Sequence, residues 1–217
     1  MEDGDSAIYP CYGRIGDWYT FVSENDWVSG LHPAPHSEFT MTPISRQSPS
    51  TGQVSSYAAM VAGLTTEKGD CCMGVLLNTA STESPVYDMN GMGSIRFWYR
   101  TEGLASGSTA LRIQLLLSST VAIANGGECK ASAVTGDECN DHFSYILPPS
   151  TVWTEAKVLL SYSGGGQAVG FAQETSWGRD VRLDLAKVMG VQFVVKQGQN
   201  SPFKIYVDDL VLAKPGL

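Results

Sequence analysis

The chain has 217 residues, 43% of them hydrophobic and 17% charged, with 14 Lys and Arg against 22 Asp and Glu and a formal net charge of −8. An acidic balance argues against a nucleic-acid partner, whose phosphates need clustered Lys and Arg, and five Trp, nine Tyr and seven Phe argue against disorder. The uncharged stretch from Ile113 to Gly127 is too short and too polar for a transmembrane helix, and Met1-Glu2-Asp3-Gly4-Asp5 lacks the basic and apolar regions of a signal peptide.

Strand-like runs recur along the chain at Tyr57–Ala62, Met73–Leu77, Ile95–Arg100, Ala110–Leu117, Phe143–Leu147, Thr154–Leu160, Gly190–Lys196 and Lys204–Leu212. Turn-rich pieces such as Asn90-Gly91-Met92-Gly93, Gly126-Gly127 and Ser163-Gly164-Gly165-Gly166 separate them. Only Asp180–Met189 reads as a short helix or turn. With no repeat or linker dividing it, the chain is expected to be one all-β domain spanning 1–217, a β-sandwich jelly roll of two antiparallel sheets.

Period-two alternation assigns faces to these runs. Ile95, Phe97 and Tyr99 oppose Arg96, Trp98 and Arg100, while Leu111, Ile113 and Leu115 oppose Arg112 and Gln114. Val191, Phe193 and Val195 oppose Gln192 and Lys196; Ile205 and Val207 oppose Lys204, Tyr206 and Asp208; and Phe143 and Tyr145 oppose His142 and Ser144. The polar sides therefore carry Trp98 and Tyr206 among Arg, Gln, Lys and His. That mixture suits a sugar ring, whose C–H face packs on an aromatic plane while its hydroxyls meet donors and acceptors around the rim. An ordinary solvated sheet face is the alternative.

Cys11, Cys71, Cys72, Cys129 and Cys139 match no common zinc spacing. Cys129 and Cys139 bracket a small, polar loop, and a disulfide there would stiffen it by roughly 2–3 kcal/mol. Cys11 would then pair with Cys71 or Cys72. This reading favours an oxidising compartment; five reduced, buried cysteines in a cytosolic protein are the alternative.

Glu2-Asp3-Gly4-Asp5, Phe97-Trp98, Cys139-Asn140-Asp141-His142-Phe143, Trp177-Gly178 and Tyr206-Val207-Asp208-Asp209-Leu210, taken in order, resemble calcium-stabilised β-jelly-roll carbohydrate-binding modules. The pattern is similar to families 11, 30 and 44 and to related domains of bacterial secreted glycanases, and implies a galactose-binding-domain-like fold. The resemblance implies a structural Ca2+ held by Glu2 and Asp208, with Asp5 or Asp3 beside them, where the first and last strands meet. It implies a sugar site on a concave sheet face at Arg96, Trp98, Arg112, Gln114, His142 and Gln192, with Trp177 at the cleft edge and Trp27 a weaker platform. Trp153 and Trp18 are assigned to the core or to strand ends. Arg96, Arg100, Arg112 and Lys196 give this face a basic character, suited to a uronate-bearing glycan or to neutral hydroxyls alike.

The expected function is non-catalytic: a monomeric module, fused to other domains, that targets a secreted glycan-degrading enzyme to plant or algal polysaccharide of β-glucan or cellulose type. A jelly-roll glycoside hydrolase or polysaccharide lyase is the rival. Hydrolysis needs two carboxylates across a cleft, and Asp141 or Glu174 meeting Glu155 is the arrangement left open. The chain has no Gly-x-Ser-x-Gly elbow, phosphate loop or His-Glu-x-x-His helix.

Overall fold

A computed structural model describes residues 5–8, 14–22, 28–48, 52, 54–65, 70–79, 85–131, 138–160, 170–173, 182–196 and 201–215. Among the described residues eleven strands run β1 (Trp18–Val22), β2 (Val28–His32), β3 (Thr42–Gln47), β4 (Val54–Thr65), β5 (Cys71–Leu76), β6 (Ser94–Glu102), β7 (Leu111–Leu117), β8 (Phe143–Ile146), β9 (Thr154–Leu159), β10 (Val188–Val195) and β11 (Phe203–Ala213). They form two antiparallel sheets, one of five strands in the order β1-β5-β10-β7-β8 and one of six in the order β2-β4-β11-β6-β9. Strand β3 pairs with the first half of β4 outside that path. This is the expected all-β jelly roll.

All eight predicted runs are strands, and the five whose sides alternation assigned present the predicted apolar side to the space between the sheets. Ile95, Phe97 and Tyr99 of β6, Leu111, Ile113 and Leu115 of β7, Val191, Phe193 and Val195 of β10, and Ile205 and Val207 of β11 are all buried. Aromatic rings join the layers: Phe97 of the six-stranded sheet meets Phe193 of the five-stranded sheet edge-on at 5.1 Å between centroids. Trp18 stacks on both Phe193 and Phe39, so Trp18 is a core residue as expected. Burying each such ring contributes about 1.5–3 kcal/mol. The expected helix or turn near Asp180–Met189 is a single 3-10 turn, Leu185–Lys187, whose start is capped by Asp184 accepting from the Ala186 amide at 3.1 Å.

Strands β1, β2 and β3 lie outside the predicted runs. Strand β2 contains Gly30 in the left-handed conformation (φ 64) and pairs irregularly with β4. Strand β3 contains Pro43 and its register also slips. Edge position tolerates both features, because an edge strand needs only one row of ladder hydrogen bonds. No helix among the described residues is long and apolar enough to cross a membrane.

The cysteines divide by location. Cys129 and Cys139 form the expected disulfide. Cys71 is instead a free thiol, fully buried among core side chains, and burial together with Asp70 pushes it up to about 12. It is therefore no partner for Cys11, which lies outside the described residues together with the side chain of Cys72.

Candidate functional site

The register of the five-stranded sheet lines up its outward side chains in rows, since cross-strand partners point to the same side. One row is Tyr19, Gly74, Gln192, Gln114 and Ser144, from β1 across to β8. The next includes Phe21, Val194, Arg112 and Ile146. Five strands about 4.8 Å apart make a row roughly 19 Å long.

Gly74 is the bare position that shapes the first row. A Cβ there would lie 2.8 Å from the Tyr19 hydroxyl oxygen and 2.9 Å from Cγ of Gln192. Because it is absent, the Tyr19 phenol lies across the sheet and accepts a 2.6 Å hydrogen bond from Gln192 Nε2. The result is a tethered aromatic beside a buried amide, with Gln114 and Ser144 continuing the polar line. In the second row Phe21 (36% exposed) and Ile146 (45% exposed) offer apolar surface at the two edges of the sheet. Arg112 stands between them; burial pulls its guanidinium down and Asp70 works against that. Asp70 also binds Lys196 at 2.7 Å, so the two cations at this end share one carboxylate.

The last strand of this sheet is introduced by a clamped segment. The Asn140 amide donates to the Thr120 carbonyl at 2.7 Å, directly after the Cys129–Cys139 bond. His142 is 8% exposed, with Nδ1 2.8 Å from the Thr120 hydroxyl. Burial lowers it to about 4, so it is neutral at pH 7. This histidine is thus engaged with Thr120 inside the protein. Asp141 beside it is 3% exposed; Gln173 Nε2 donates to its carbonyl at 3.0 Å, and its Oδ2 lacks a hydrogen-bond partner among the described residues. Burial raises this carboxyl to about 6.

Trp98 and Arg96 belong to the other sheet. They point outward from β6, with Trp98 opposite Asp208 of β11 and Glu155 of β9, and Arg96 opposite Lys157. Arg96 forms an ion pair with Glu155, its Nε 3.1 Å from Oε1. The indole of Trp98 is half-buried, and the guanidinium of Arg46 lies 5.0 Å from its ring centroid. Arg46 also lies 5.9 Å from the Trp153 ring, and Arg100 lies over both Trp153 and Tyr206. Trp153 is accordingly half-buried on this outer surface, next to the start of β9.

The residues expected on one face therefore occupy two. Arg112, Gln114 and Gln192 share the outside of the five-stranded sheet and His142 sits at its margin, whereas Arg96 and Trp98 are on the outside of the six-stranded sheet, with the core between them. One bound chain cannot touch both sets. Trp177 and Trp27 lie outside the described residues. Tyr19, Phe21 and Gly74 escaped the sequence reading, although Trp18-Tyr19-Thr20-Phe21 carries a usable signal, with Trp18 and Thr20 buried and Tyr19 and Phe21 turned outward. The carboxylates of Asp141 and Glu155 are likewise held by different sheets, which removes that pair as an acid and base flanking one bond; Glu174 lies outside the described residues.

Of the expected calcium ligands, the two among the described residues, Asp5 and Asp208, do not converge. Glu2 and Asp3 lie outside the described residues. Asp5 is exposed beside β1, where its Oδ1 accepts from the Ala7 amide at 2.9 Å and Ala7 bridges Asp17. Asp208 is on β11, whose neighbours are β4 and β6 rather than the first strand. Its Oδ2 accepts from Arg46 Nε at 2.6 Å and its Oδ1 from the Asp209 amide at 2.8 Å. Among the described residues no three His, Cys, Asp or Glu side chains gather as a metal site would require. Asp5 and Asp208 do not fit a shared Ca2+.

No family profile matches the chain, and no curated protein sequence does. Solved structures match in fold. A family 11 carbohydrate-binding module of the cellulosomal cellulase Lic26A-Cel5E of Clostridium thermocellum superposes with a TM-score of 0.50 at 14% identity, covering 97% of this chain and 95% of that one. An exo-β-agarase gives a TM-score of 0.50 at 12% identity over 87% of this chain, which corresponds to 24% of the agarase chain. A family 30 module of the cellulosomal cellulase Cel9D-Cel44B of Clostridium thermocellum gives 0.45 at 11% identity, with 98% and 99% covered. The fold of this chain is that of the jelly-roll carbohydrate-binding modules.

Proposed function

We propose that the domain binds a polysaccharide along the outer face of the five-stranded sheet without cleaving it. The observation that carries this reading is the row Tyr19, Gly74, Gln192, Gln114 and Ser144, in which a bare glycine lets a phenol lie across the sheet beside a line of hydrogen-bonding side chains. The C–H faces of sugar rings pack on Tyr19 and Phe21, Gln114 and Arg112 meet the hydroxyls, and the buried Gln192 holds the Tyr19 phenol in place. The kinship in fold with carbohydrate-binding modules supports this assignment.

The charge pattern favours a neutral glycan of β-glucan or cellulose type. Asp70 binds Lys196 and attracts Arg112, so among the described residues these two cations of the face are already matched by a carboxylate and less available to a uronate. The disulfide supports an oxidising, extracellular setting, where such a module would act as a monomer tethering a glycan-degrading enzyme to its substrate.

Affinity electrophoresis through gels containing β-glucan, hydroxyethylcellulose, xylan or alginate tests the proposal. Retardation in the neutral gels, lost in Tyr19→Ala and kept in Trp98→Ala, is the expected result. Retention that survives Tyr19→Ala and disappears in Trp98→Ala would move the site to the opposite sheet. Reducing ends released from any of these polymers would instead make the chain a hydrolase.

A further inference from the structure

The closing strand carries a fully buried carboxylate, Asp208, on the outward side of the six-stranded sheet. A buried carboxylate requires both a counter-charge and donors for its lone pairs. We infer that Arg46, and no divalent ion, is the cation of Asp208, and that the same guanidinium closes one face of Trp98.

Four observations converge. The carboxylate is already satisfied: Oδ2 accepts from Arg46 Nε at 2.6 Å, and Oδ1 accepts from the Asp209 amide at 2.8 Å. The adjacent carboxylate that a cation would recruit, Asp209, is itself paired with Arg46 Nη2. Ca2+ takes about six to eight oxygens, and of the other acidic residues expected to contribute, Glu2 and Asp3 lie outside the described residues while Asp5 sits at the edge of the opposite sheet. Finally, Arg46 is held in place from several sides. It is 3% exposed, paired across to Ser55 of β4, with its guanidinium 5.0 Å from the Trp98 ring centroid and 5.9 Å from that of Trp153.

The pair does what a bound ion would do at such a position. It fastens the β3–β4 hairpin to a strand 162 residues later in the chain. Arginine suits this where lysine would not, because its planar fork reaches two carboxylates while its face stacks on indole. The cost is that Trp98 has one π-face occupied by the protein's own side chain, so that face cannot receive a sugar ring.

A double-mutant cycle with Arg46→Met and Asp208→Asn, followed by urea unfolding in EDTA and in calcium chloride, tests the inference. Each single variant is expected to lower the unfolding midpoint, the double variant to recover much of the loss, and the coupling to be the same in both buffers. A chelator-induced fall in the wild-type midpoint that Asp208→Asn abolishes would overturn it, as would a coupling indistinguishable from zero. A chelator effect that persists in Asp208→Asn places the ion away from Asp208 and supports the inference. Should Arg46→Met fail to fold, Arg46→Lys serves instead: an intermediate midpoint unmoved by calcium is expected, and a midpoint restored to the wild-type value by calcium alone refutes the assignment. Glycan retention is not read in this experiment, so its outcome is independent of the binding face proposed above.

Discussion

Replacing Gly74 with Ala isolates the feature on which the proposed binding face depends. The added methyl would sit 2.8 Å from the Tyr19 hydroxyl and 2.9 Å from Cγ of Gln192, inside ordinary contact distance. Both neighbours are side chains, so they yield by rotating away rather than by moving the strand. The 2.6 Å bond between them is then lost, at a net cost of about 0.5–1.5 kcal/mol. Alanine in a strand recovers about 0.5–1 kcal/mol of the backbone entropy that glycine loses on folding. The two nearly cancel, so the thermal midpoint is expected to stay within about 2–4 °C of wild type. Binding has no such compensation. A displaced phenol and a reoriented amide together forfeit roughly 1.4 kcal/mol or more, which is about tenfold in Kd. Calorimetry with the best-retained oligosaccharide, alongside a melting curve, reads both quantities. Gly91→Ala is the control, because its φ of 82 strains any side chain while the space around it is open; it should melt lower and bind normally. Unchanged affinity in Gly74→Ala, with the fold intact, would refute the argument that the Tyr19 platform makes the site.

Two further expectations concern the segment leading into β8. Burial raises the Asp141 carboxyl from its ordinary value near 3.9 to about 6, so the folded state disfavours the ionised form, and the penalty grows from about pH 4 to pH 6 and is fully present above. Asp141→Asn should therefore be more stable than wild type at pH 7.5, by about 1–2 kcal/mol after allowance for solvent screening, with the difference vanishing near pH 4; equal midpoints in urea at both pH values would contradict this. Reducing the Cys129–Cys139 bond, or replacing both residues by Ser, removes the link that closes a ten-residue step and should cost roughly 2–3 kcal/mol in urea unfolding, whereas an unchanged midpoint would show that hydrogen bonds to Thr120 hold the segment unaided.

Much of the sandwich was legible in the alternation of strong strands. Leu111-Arg112-Ile113-Gln114-Leu115 and Ile95-Arg96-Phe97-Trp98-Tyr99 state which side of each strand is buried, because a pleated backbone sends successive side chains to opposite faces. Strands β2 and β3 were less legible, since Gly30 and Pro43 break the very pattern by which strands are recognised. The disulfide could be anticipated because Cys129 and Cys139 are close in sequence and flank a single loop. Arg46 could not, because its partners Asp208 and Asp209 are 162 and 163 residues away.

The sequence by itself determined an all-β chain, the inward and outward sides of its main strands, and an outward surface of aromatic and hydrogen-bonding groups. Alternation is a property of one strand and requires no knowledge of its neighbours. Only the tertiary structure decided that Trp98 and Gln192 face opposite ways, because strand order distributes β6 and β10 between different sheets with the core between them. It also decided that the aromatic beside Gln192 is Tyr19, and that the charge beside Asp208 is Arg46. Both contacts join side chains more than 160 residues apart, and such contacts exist only once the sheets have assembled.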